Sequence, residues 1–382
     1  MTGKLSRKRK TEENRGEPVK LKLPRCSVVF FIIFALSAVI LGVCFLSTDF
    51  ADFFCRRVAS GPRALLAWLT AVFPFSLIEL IVILIIPIAL FVIVRAARKA
   101  ADSWHNAGIV CLTLLSVLSL FFSVYVFTLG TGYRGSGLDE KLGMTDDKVS
   151  AEELKKTAEI LADEIGAYAG KISYGADGFS VMPYGVTEMT SKLGDAFAAA
   201  SKKYAFLQSF RAPIKQVMLS EPWTYTHITG MYSYFTGEAN LNINMPDYTL
   251  PFTAAHEMAH QRGIAREDEA NFVAYLVCLE SDDDYIRYTA SLNMYEYVVN
   301  ALYSADSDGY TEVMRRLEPE VRAEMTAYGR FFSKYRRSVV ATVSEKVNDT
   351  YLKINGTPGT KSYGMVVDLC VAFYRDSDRS GQ

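Results

Sequence analysis

Four apolar runs set the N-terminal third of the chain apart from the rest. Three of them are long and apolar enough for a helix that crosses a bilayer, which needs about 20 residues. They cover residues 26–47, 76–94 and 109–129. A fourth run, residues 65–75, is too short to span and contains Pro74, so we expect it at the outer membrane interface. Glu79 falls inside the second span, and a shallow interfacial position explains it better than a functional acid within the bilayer.

Basic residues around these spans predict the orientation of the chain. Residues 1–25 are rich in Lys and Arg and lack an apolar run, as is typical of a disordered cytoplasmic tail. The loop between the second and third spans holds Arg95, Arg98 and Lys99, and short basic loops stay in the cytoplasm. Three spans that begin inside place everything after residue 130 outside. Arginines in the first loop oppose this orientation, namely Arg56, Arg57 and Arg63.

After the third span, the pattern changes to amphipathic and alternating segments. Residues 130–148 are rich in Gly, Lys and acidic residues and are predicted to be a linker. A capping box at Ser150 and Glu153 begins a helix that runs to about residue 168. Further helices are expected over residues 187–206, 251–262, 265–280, 283–304, 309–316, 319–353 (with a break) and 361–375. Residues 215–245 are β-branched, aromatic and alternating, which predicts two or three short strands. Residues 149–382 are thus an α+β, mostly helical domain with a small sheet.

Composition narrows the possible functions. Half of the 382 residues are hydrophobic and the net charge is −1, with no basic stripe outside the tail and the short loop, so no nucleic-acid partner is indicated. The six cysteines are scattered and form no CxxC pair, which argues against a thiolate zinc site or a redox motif. A disulfide between Cys278 and Cys370 is possible, but two buried free thiols fit better.

The chemistry of the chain is concentrated in the segment His256-Glu257-Met258-Ala259-His260, which holds two of the four histidines. Histidines four apart project from one face of a helix, about 40° apart around its axis, so both imidazoles can reach one Zn²⁺. Glu257 is then placed to act as general base on a water at the metal. Pro251 suits the first turn of this helix and Gly263 suits its end.

A third ligand is expected soon after the glycine turn. Glu267 is favoured, with Asn271 one turn later to orient a ligand histidine, and Glu269 is the alternative. Three protein ligands leave the fourth position of a catalytic zinc site for water.

Other residues near the predicted strands are weaker candidates for a role in catalysis or substrate binding. His227 is a candidate donor to the oxyanion of the reaction. The strand before the motif helix is expected to form the edge on which a peptide lies as an added strand, with Gly237 and Asn240 allowing close approach, although an ordinary turn fits them equally well. Glu238 fits a solvated or salt-bridged residue better than a site acid.

Several segments together resemble one family of bacterial membrane proteins, the domain-of-unknown-function family 3810. They are Thr229-Gly230-Met231-Tyr232, Phe235 to Asn240, Leu250 to Gly263, Arg266 to Phe272, Pro74-Phe75-Ser76 with Glu79, Tyr351-Leu352-Lys353, and Lys361 to Gly364. The resemblance implies a membrane-anchored metallopeptidase with two histidines and a glutamate as ligands, and no established substrate. The order of Glu267 and Asn271 is also similar to that of zinc peptidases whose third ligand is the first Glu of such a stretch.

We therefore expect three transmembrane helices followed by a zincin-like domain outside the cytoplasmic membrane. The expected function is zinc-dependent hydrolysis of peptides or envelope proteins, with the lipid bilayer as the other partner. The alternative is a non-catalytic, zinc-stabilised binding or sensor domain of the cell envelope.

Overall fold

The computed structural model describes residues 23–380 except residue 146, with side chains described up to residue 376. Most of the predicted tail, up to residue 22, lies outside the described residues. The chain forms two compact units. One contains the residues up to 38 together with residues 83–123, and the other contains residues 39–82 together with those from 124 onwards. The second unit carries the candidate site.

Helices occupy most of the chain up to residue 128. They are α1 (Arg25–Leu46), α2 (Thr48–Phe53), a π-helical turn (Phe54–Val58), α3 (Ser60–Ala71), α4 (Leu77–Ala101) and α5 (Trp104–Thr128). Helices α1, α4 and α5 are long and apolar enough to cross a membrane, so the three predicted spans are confirmed in number. The last two helices extend into the predicted loop, because Arg, Ala and Lys at residues 95–101 are strong helix formers.

The rest of the chain is mostly helical, with one small sheet. Its helices are α6 (Leu138–Leu142), α7 (Ala151–Ala169), α8 (Val186–Lys203), α9 (Ser220–Thr224), α10 (Leu250–Gln261), α11 (Glu267–Leu279), α12 (Asp284–Ala305), α13 (Ser307–Arg316), α14 (Pro319–Ser333), α15 (Val339–Ile354) and α16 (Val366–Ser380). Its 3-10 helices are Gly130–Arg134, Asp247–Thr249 and Gly359–Met365. The mostly helical fold with a small sheet is confirmed, and the expected break in 319–353 separates α14 from α15.

The sheet has the strand order β1-β3-β2, with β1 (Ile214–Gln216) parallel and β2 (Gly230–Ser233) antiparallel to β3 (Glu238–Leu241). The expectation that the strand before the motif helix forms a free edge was wrong. That strand, β3, is central and fully buried, because β1 pairs along its other side. The two edge strands of the sheet are β1 and β2.

The core of the second unit is built around the two helices that carry the candidate ligands. Helices α10 and α11 pack against each other and bury almost every side chain. Helices α7, α8 and α12 surround them with leucine, alanine, tyrosine and other apolar side chains. Cys278 and Cys370 are both buried free thiols in this core, as expected. Such dense packing holds the motif helix in one position.

Residues 39–82 and 130–148 also belong to this unit. Residues 130–148 were expected to be a linker, but Leu138 is buried and its backbone N–H donates to Glu269 Oε1 at 3.1 Å. Helix α3 covers most of the short apolar run at residues 65–75 and packs against β3. The buried Lys215 of β1 donates to the carbonyl oxygen of Thr70 at 3.0 Å.

Candidate metal centre

The motif helix α10 is punctuated at both ends. Pro251 occupies its first turn, and the helix ends at Gln261, where Gly263 turns the chain back with φ at +97°. A Cβ at Gly263 would also lie only 2.6 Å from the guanidinium carbon of Arg63, so glycine is required for both backbone shape and space. The N–H of Ile264 then donates to the carbonyl of Ala259 at 3.2 Å. This turn brings α11 back alongside α10.

The turn brings His256, His260 and Glu267 together. The Nε2 atoms of the two histidines are 3.0 Å apart, and Glu267 Oε2 lies 3.2 Å from His256 Nε2 and 3.3 Å from His260 Nε2. The ligand atoms of these three residues lie close enough together to hold one metal ion. The three atoms thus form a nearly equilateral triangle, as three ligands of one ion do.

The donor set and spacing of this triangle fit zinc. A tetrahedral Zn²⁺ site with ligands at about 2.0–2.1 Å has neighbouring ligand atoms about 3.3 Å apart. The observed separations of 3.0–3.3 Å approach that value. Two imidazoles and one carboxylate are ligands that zinc commonly takes, and a fourth position stays open.

The charges within the triangle favour a cation. Burial alone lowers the pKa of His260, but the Glu267 carboxylate more than offsets this and raises that pKa to about 9. Burial raises the pKa of Glu267, whereas His260 and His256 together bring it well below the usual range. The carboxylate is therefore ionised among buried groups, and a proton or a metal ion must balance its charge.

The histidines are oriented by different surroundings. His260 Nδ1 lies 2.7 Å from the carbonyl oxygen of Ile264, which leaves Nε2 for a metal. Asn271 was expected in this orienting role, but its amide donates to the hydroxyl of Tyr297 at 3.4 Å. Because the chain turns back at Gly263, the carbonyl oxygen of Ile264 takes the position beside His260 Nδ1 that was expected for Asn271. His256 Nδ1 is buried without a hydrogen-bond partner.

Glu257 lies beside the triangle, against the edge strand β2. Its carboxylate accepts a hydrogen bond from the backbone N–H of Tyr232, and its Oε2 is buried without a partner. Gly230 makes this approach possible, because a Cβ there would lie 2.6 Å from Glu257 Oε1. Burial raises the pKa of Glu257, although His256 and His260 pull it down. An acid with one free, buried oxygen next to a metal triangle can accept a proton from water.

Glu269, the alternative ligand, forms its hydrogen bonds with residues outside the triangle. It accepts hydrogen bonds from Arg266 Nη1 at 2.9 Å and from the N–H of Leu138 at 3.1 Å. These contacts tie α11 to α6 and direct the carboxylate away from the two histidines. The geometry therefore favours Glu267.

His227 is held by α14 and the residues after it. Its Nε2 lies 2.9 Å from the carbonyl oxygen of Tyr335 and its ring packs on Phe332, with a backbone φ of +63°. None of its described contacts joins it to the triangle. An oxyanion donor at this residue therefore stays a prediction.

Two buried carboxylates join the sheet and the residues after β1 to α4. Glu238 is buried and accepts hydrogen bonds from the N–H groups of Leu77 and Ile78, at 3.0 and 3.1 Å. Glu79 accepts in turn from the N–H groups of Met218 and Leu219, at 2.8 and 2.7 Å. We call these two carboxylates the reciprocal caps.

The remaining strand residues also have structural partners. Asn240 donates to the carbonyls of Met231 and Glu238, and Gly237 lies directly against Leu66 and Ala67 of α3. Neither residue faces a free sheet edge.

Tyrosines that the sequence did not single out surround the triangle. Burial raises the pKa of Tyr363, and the carboxylates of Glu267 and Glu257 raise it further. Burial and Glu267 also raise the pKa of Tyr297, to about 12. Burial also raises the pKa of Tyr133 far above the usual value of a tyrosine. All three hydroxyls keep their protons at neutral pH and can donate hydrogen bonds.

A family described as "Protein of unknown function (DUF3810)" matches residues 56–371. No curated protein matches the chain, and no solved structure matches it.

Proposed function

The chain belongs to the family described as "Protein of unknown function (DUF3810)", and we propose that it is a membrane-anchored zinc metallopeptidase with a zincin-like domain outside the cytoplasmic membrane. The family resemblance drawn from the sequence is confirmed by this membership. The description of the family names no activity, so the proposal rests on the site.

One observation supports hydrolysis above all, namely the position of Glu257. A site that only stabilises the fold needs three or four ligands and no further acid. Here a buried carboxylate lies beside the ligand triangle, with Oε2 unpartnered and Gly230 leaving room for it. Burial of an unpaired carboxyl oxygen costs about 1–3 kcal/mol, so this arrangement favours a use in catalysis.

His256, His260 and Glu267 would hold the ion. A bound Zn²⁺ supplies Lewis acidity, which lowers the pKa of a water and polarises a substrate carbonyl. Glu257 accepts the proton of that water as it attacks the peptide carbonyl carbon. The same carboxyl group then returns the proton to the amine as the C–N bond breaks. The raised pKa of Glu257 suits both transfers.

The outer edge of β2 is the proposed docking place for the peptide. In an antiparallel pair, the backbone groups of alternate residues point away from the partner strand. On β2 these belong to Gly230 and Tyr232, and the Tyr232 N–H already faces Glu257. A peptide added along this edge would lie beside the acid.

The test compares wild type with Glu257→Gln, both as full-length chains in nanodiscs. Zinc per chain is measured by mass spectrometry, and cleavage is followed on a peptide library. We expect about one zinc per chain in both, and hydrolysis about 10²- to 10⁴-fold slower in the variant. Glu152→Gln, at an exposed position on α7, is the matched control and should cleave like wild type.

Two results would count against the proposal. Zinc in both proteins with equal, negligible cleavage would favour the zinc-stabilised binding or sensor domain. Absence of zinc from the wild type would overturn both functions.

A further inference from the structure

Helix α15 exposes a stripe of large apolar side chains. They are Val339, Val340, Val343, Val347 and Ile354, each 57–82% exposed. With 100° between successive residues, these five positions fall within one arc of about 100° on the helix surface. We call them the valine stripe. The face that packs on the domain is a different one and contains Ala341 and Leu352.

A third, polar face separates the other two on one side. It includes Glu345, Lys346, Asp349 and Lys353. The helix therefore has one buried face, one charged face and one exposed apolar face. Contiguous exposed apolar surface on a folded domain marks a contact with a membrane or a partner.

The C-terminal end of α15 is bonded to the end of α5, one of the three helices long and apolar enough to cross a membrane. The hydroxyl of Tyr125 hydrogen-bonds to the side chain of Asn355, the residue directly after α15. Tyr125 lies in the last turn of α5, three residues before Thr128, where this apolar helix ends. Ile354, the last residue of the valine stripe, is therefore close to the end of α5.

The N-terminal end is connected to a second of these helices, α4. Lys334, shortly before α15, forms an ion pair with Glu221. Glu221 follows Leu219, whose N–H donates to Glu79 in the first turn of α4. Leu219 and its neighbour Met218 are themselves 48% and 64% exposed. The residue after α15 thus contacts the end of α5, and the segment before α15 is connected through Glu221 and Leu219 to the start of α4.

We propose that α15 lies on the bilayer surface, with the valine stripe inserted at the boundary between headgroups and acyl chains. Lys346 and Lys353 border the stripe, and the exposed Arg336 and Arg337 precede the helix, so cations are placed for lipid phosphates. The occupant is the lipid in which the three spans are anchored. This contact does not depend on peptide hydrolysis.

Brominated phospholipids, which quench nearby tryptophan, provide the test. Full-length Val343→Trp is reconstituted at one chain per nanodisc, and the signal of the native Trp68, Trp104 and Trp223 is subtracted using the wild type. Glu345→Trp, on the charged face, is the matched control. We expect bromination to reduce the fluorescence of the tryptophan introduced by Val343→Trp at least about twofold, since such helices lie about 5–10 Å into the boundary. The tryptophan introduced by Glu345→Trp should be unaffected.

Equal fluorescence of the Val343→Trp variant in brominated and ordinary lipid would overturn the proposal, provided that Val347→Trp behaves in the same way. Shielding of the introduced tryptophan from aqueous acrylamide without lipid quenching would also overturn it. That second pattern would assign the stripe to a protein surface, such as a second copy of the chain.

Discussion

At the residue scale, the triangle is a site where a metal ion would have to compete with a proton. Glu267 is ionised and buried, and in the metal-free protein His260 holds a proton because of it, with a pKa of about 9. A metal ion at the triangle must displace that proton.

This competition predicts a pH-dependent zinc affinity. Below the pKa of about 9, each fall of one pH unit leaves more His260 protonated, so the apparent affinity should fall about tenfold per unit between about pH 9 and pH 7. Above about pH 9 the affinity should level off. Competition titrations of the full-length protein against a chromophoric chelator measure this slope, and an affinity that stays constant across the range would contradict it.

The two glutamates of α11 should respond differently to substitution. Glu267→Gln should lower zinc affinity by more than about 100-fold, since loss of an outer partner alone costs 10–100-fold. Glu269→Gln should keep one zinc per chain but lower the free energy of unfolding by about 1–3 kcal/mol, because it weakens buried bonds to Arg266 and Leu138. Metal analysis and thermal unfolding of both variants show which of the two glutamates is the metal ligand. The reverse pattern would make Glu269 the ligand.

The sequence predicted those residues whose neighbours are close along the chain. His256, His260 and Glu267 follow from helical spacing and one glycine turn. Ile264 as the partner of His260 could not be predicted, since any backbone carbonyl can accept a hydrogen bond. Tyr363 lay in a segment that resembled the family, but with 22 tyrosines in the chain nothing marked it as close to the site.

At the element scale, the end of the motif helix is held by an arginine from the first loop. Arg63 is fully buried and donates to the carbonyls of Cys55, Thr128 and Arg262, at 2.7, 3.1 and 3.4 Å. It also lies directly against Gly263. This one side chain therefore joins the residues before α3, the end of α5 and the end of α10.

Loss of that side chain should be costly. Arg63→Met leaves three buried carbonyls short of a donor, at about 1–3 kcal/mol for each group that finds no other partner. We expect a large drop in the unfolding temperature of the full-length protein in detergent, together with weaker zinc retention. Arg57→Met, at an exposed position in the same loop, is the control and should behave like wild type. Equal unfolding temperatures for the two variants would disprove this role.

Elements were easier to predict than their arrangement. Helix patterns and the capping box identified α7, and Pro251 and Gly263 delimited α10 closely, because these signals are local. The parallel pairing of β1 with β3 joins segments more than twenty residues apart, and no local pattern encodes it. The central position of β3 was missed for that reason.

At the scale of the whole molecule, only the end segments of the membrane-crossing helices, within residues 39–82 and from residue 124 onwards, belong to the same folded unit as the site. The burial of Arg63 also bears on orientation, since an arginine bonded to protein carbonyls is not a free charge of the first loop. Only Arg56 and Arg57 remain exposed there. The proposed outward orientation is strengthened by this burial.

Protease accessibility checks that orientation. Trypsin added to intact spheroplasts should cut the domain, because exposed basic pairs such as Lys202-Lys203 and Arg336-Arg337 would face the medium. An epitope tag at the N-terminus should survive until the cells are lysed. Full protection of the domain together with loss of the tag would reverse the proposed topology.

The reciprocal caps have a consequence for how this protein could be rebuilt. Glu238 satisfies backbone groups at the start of α4, and Glu79 satisfies backbone groups ahead of α9. The sheet region and α4 therefore each supply a carboxylate that accepts hydrogen bonds from backbone N–H groups of the other. A transplant onto a foreign anchor at residue 130 would leave the Glu238 carboxylate without its donors and the N–H groups of Met218 and Leu219 without their acceptor. A stable chimera must therefore include residues 39–82 as part of the folded domain.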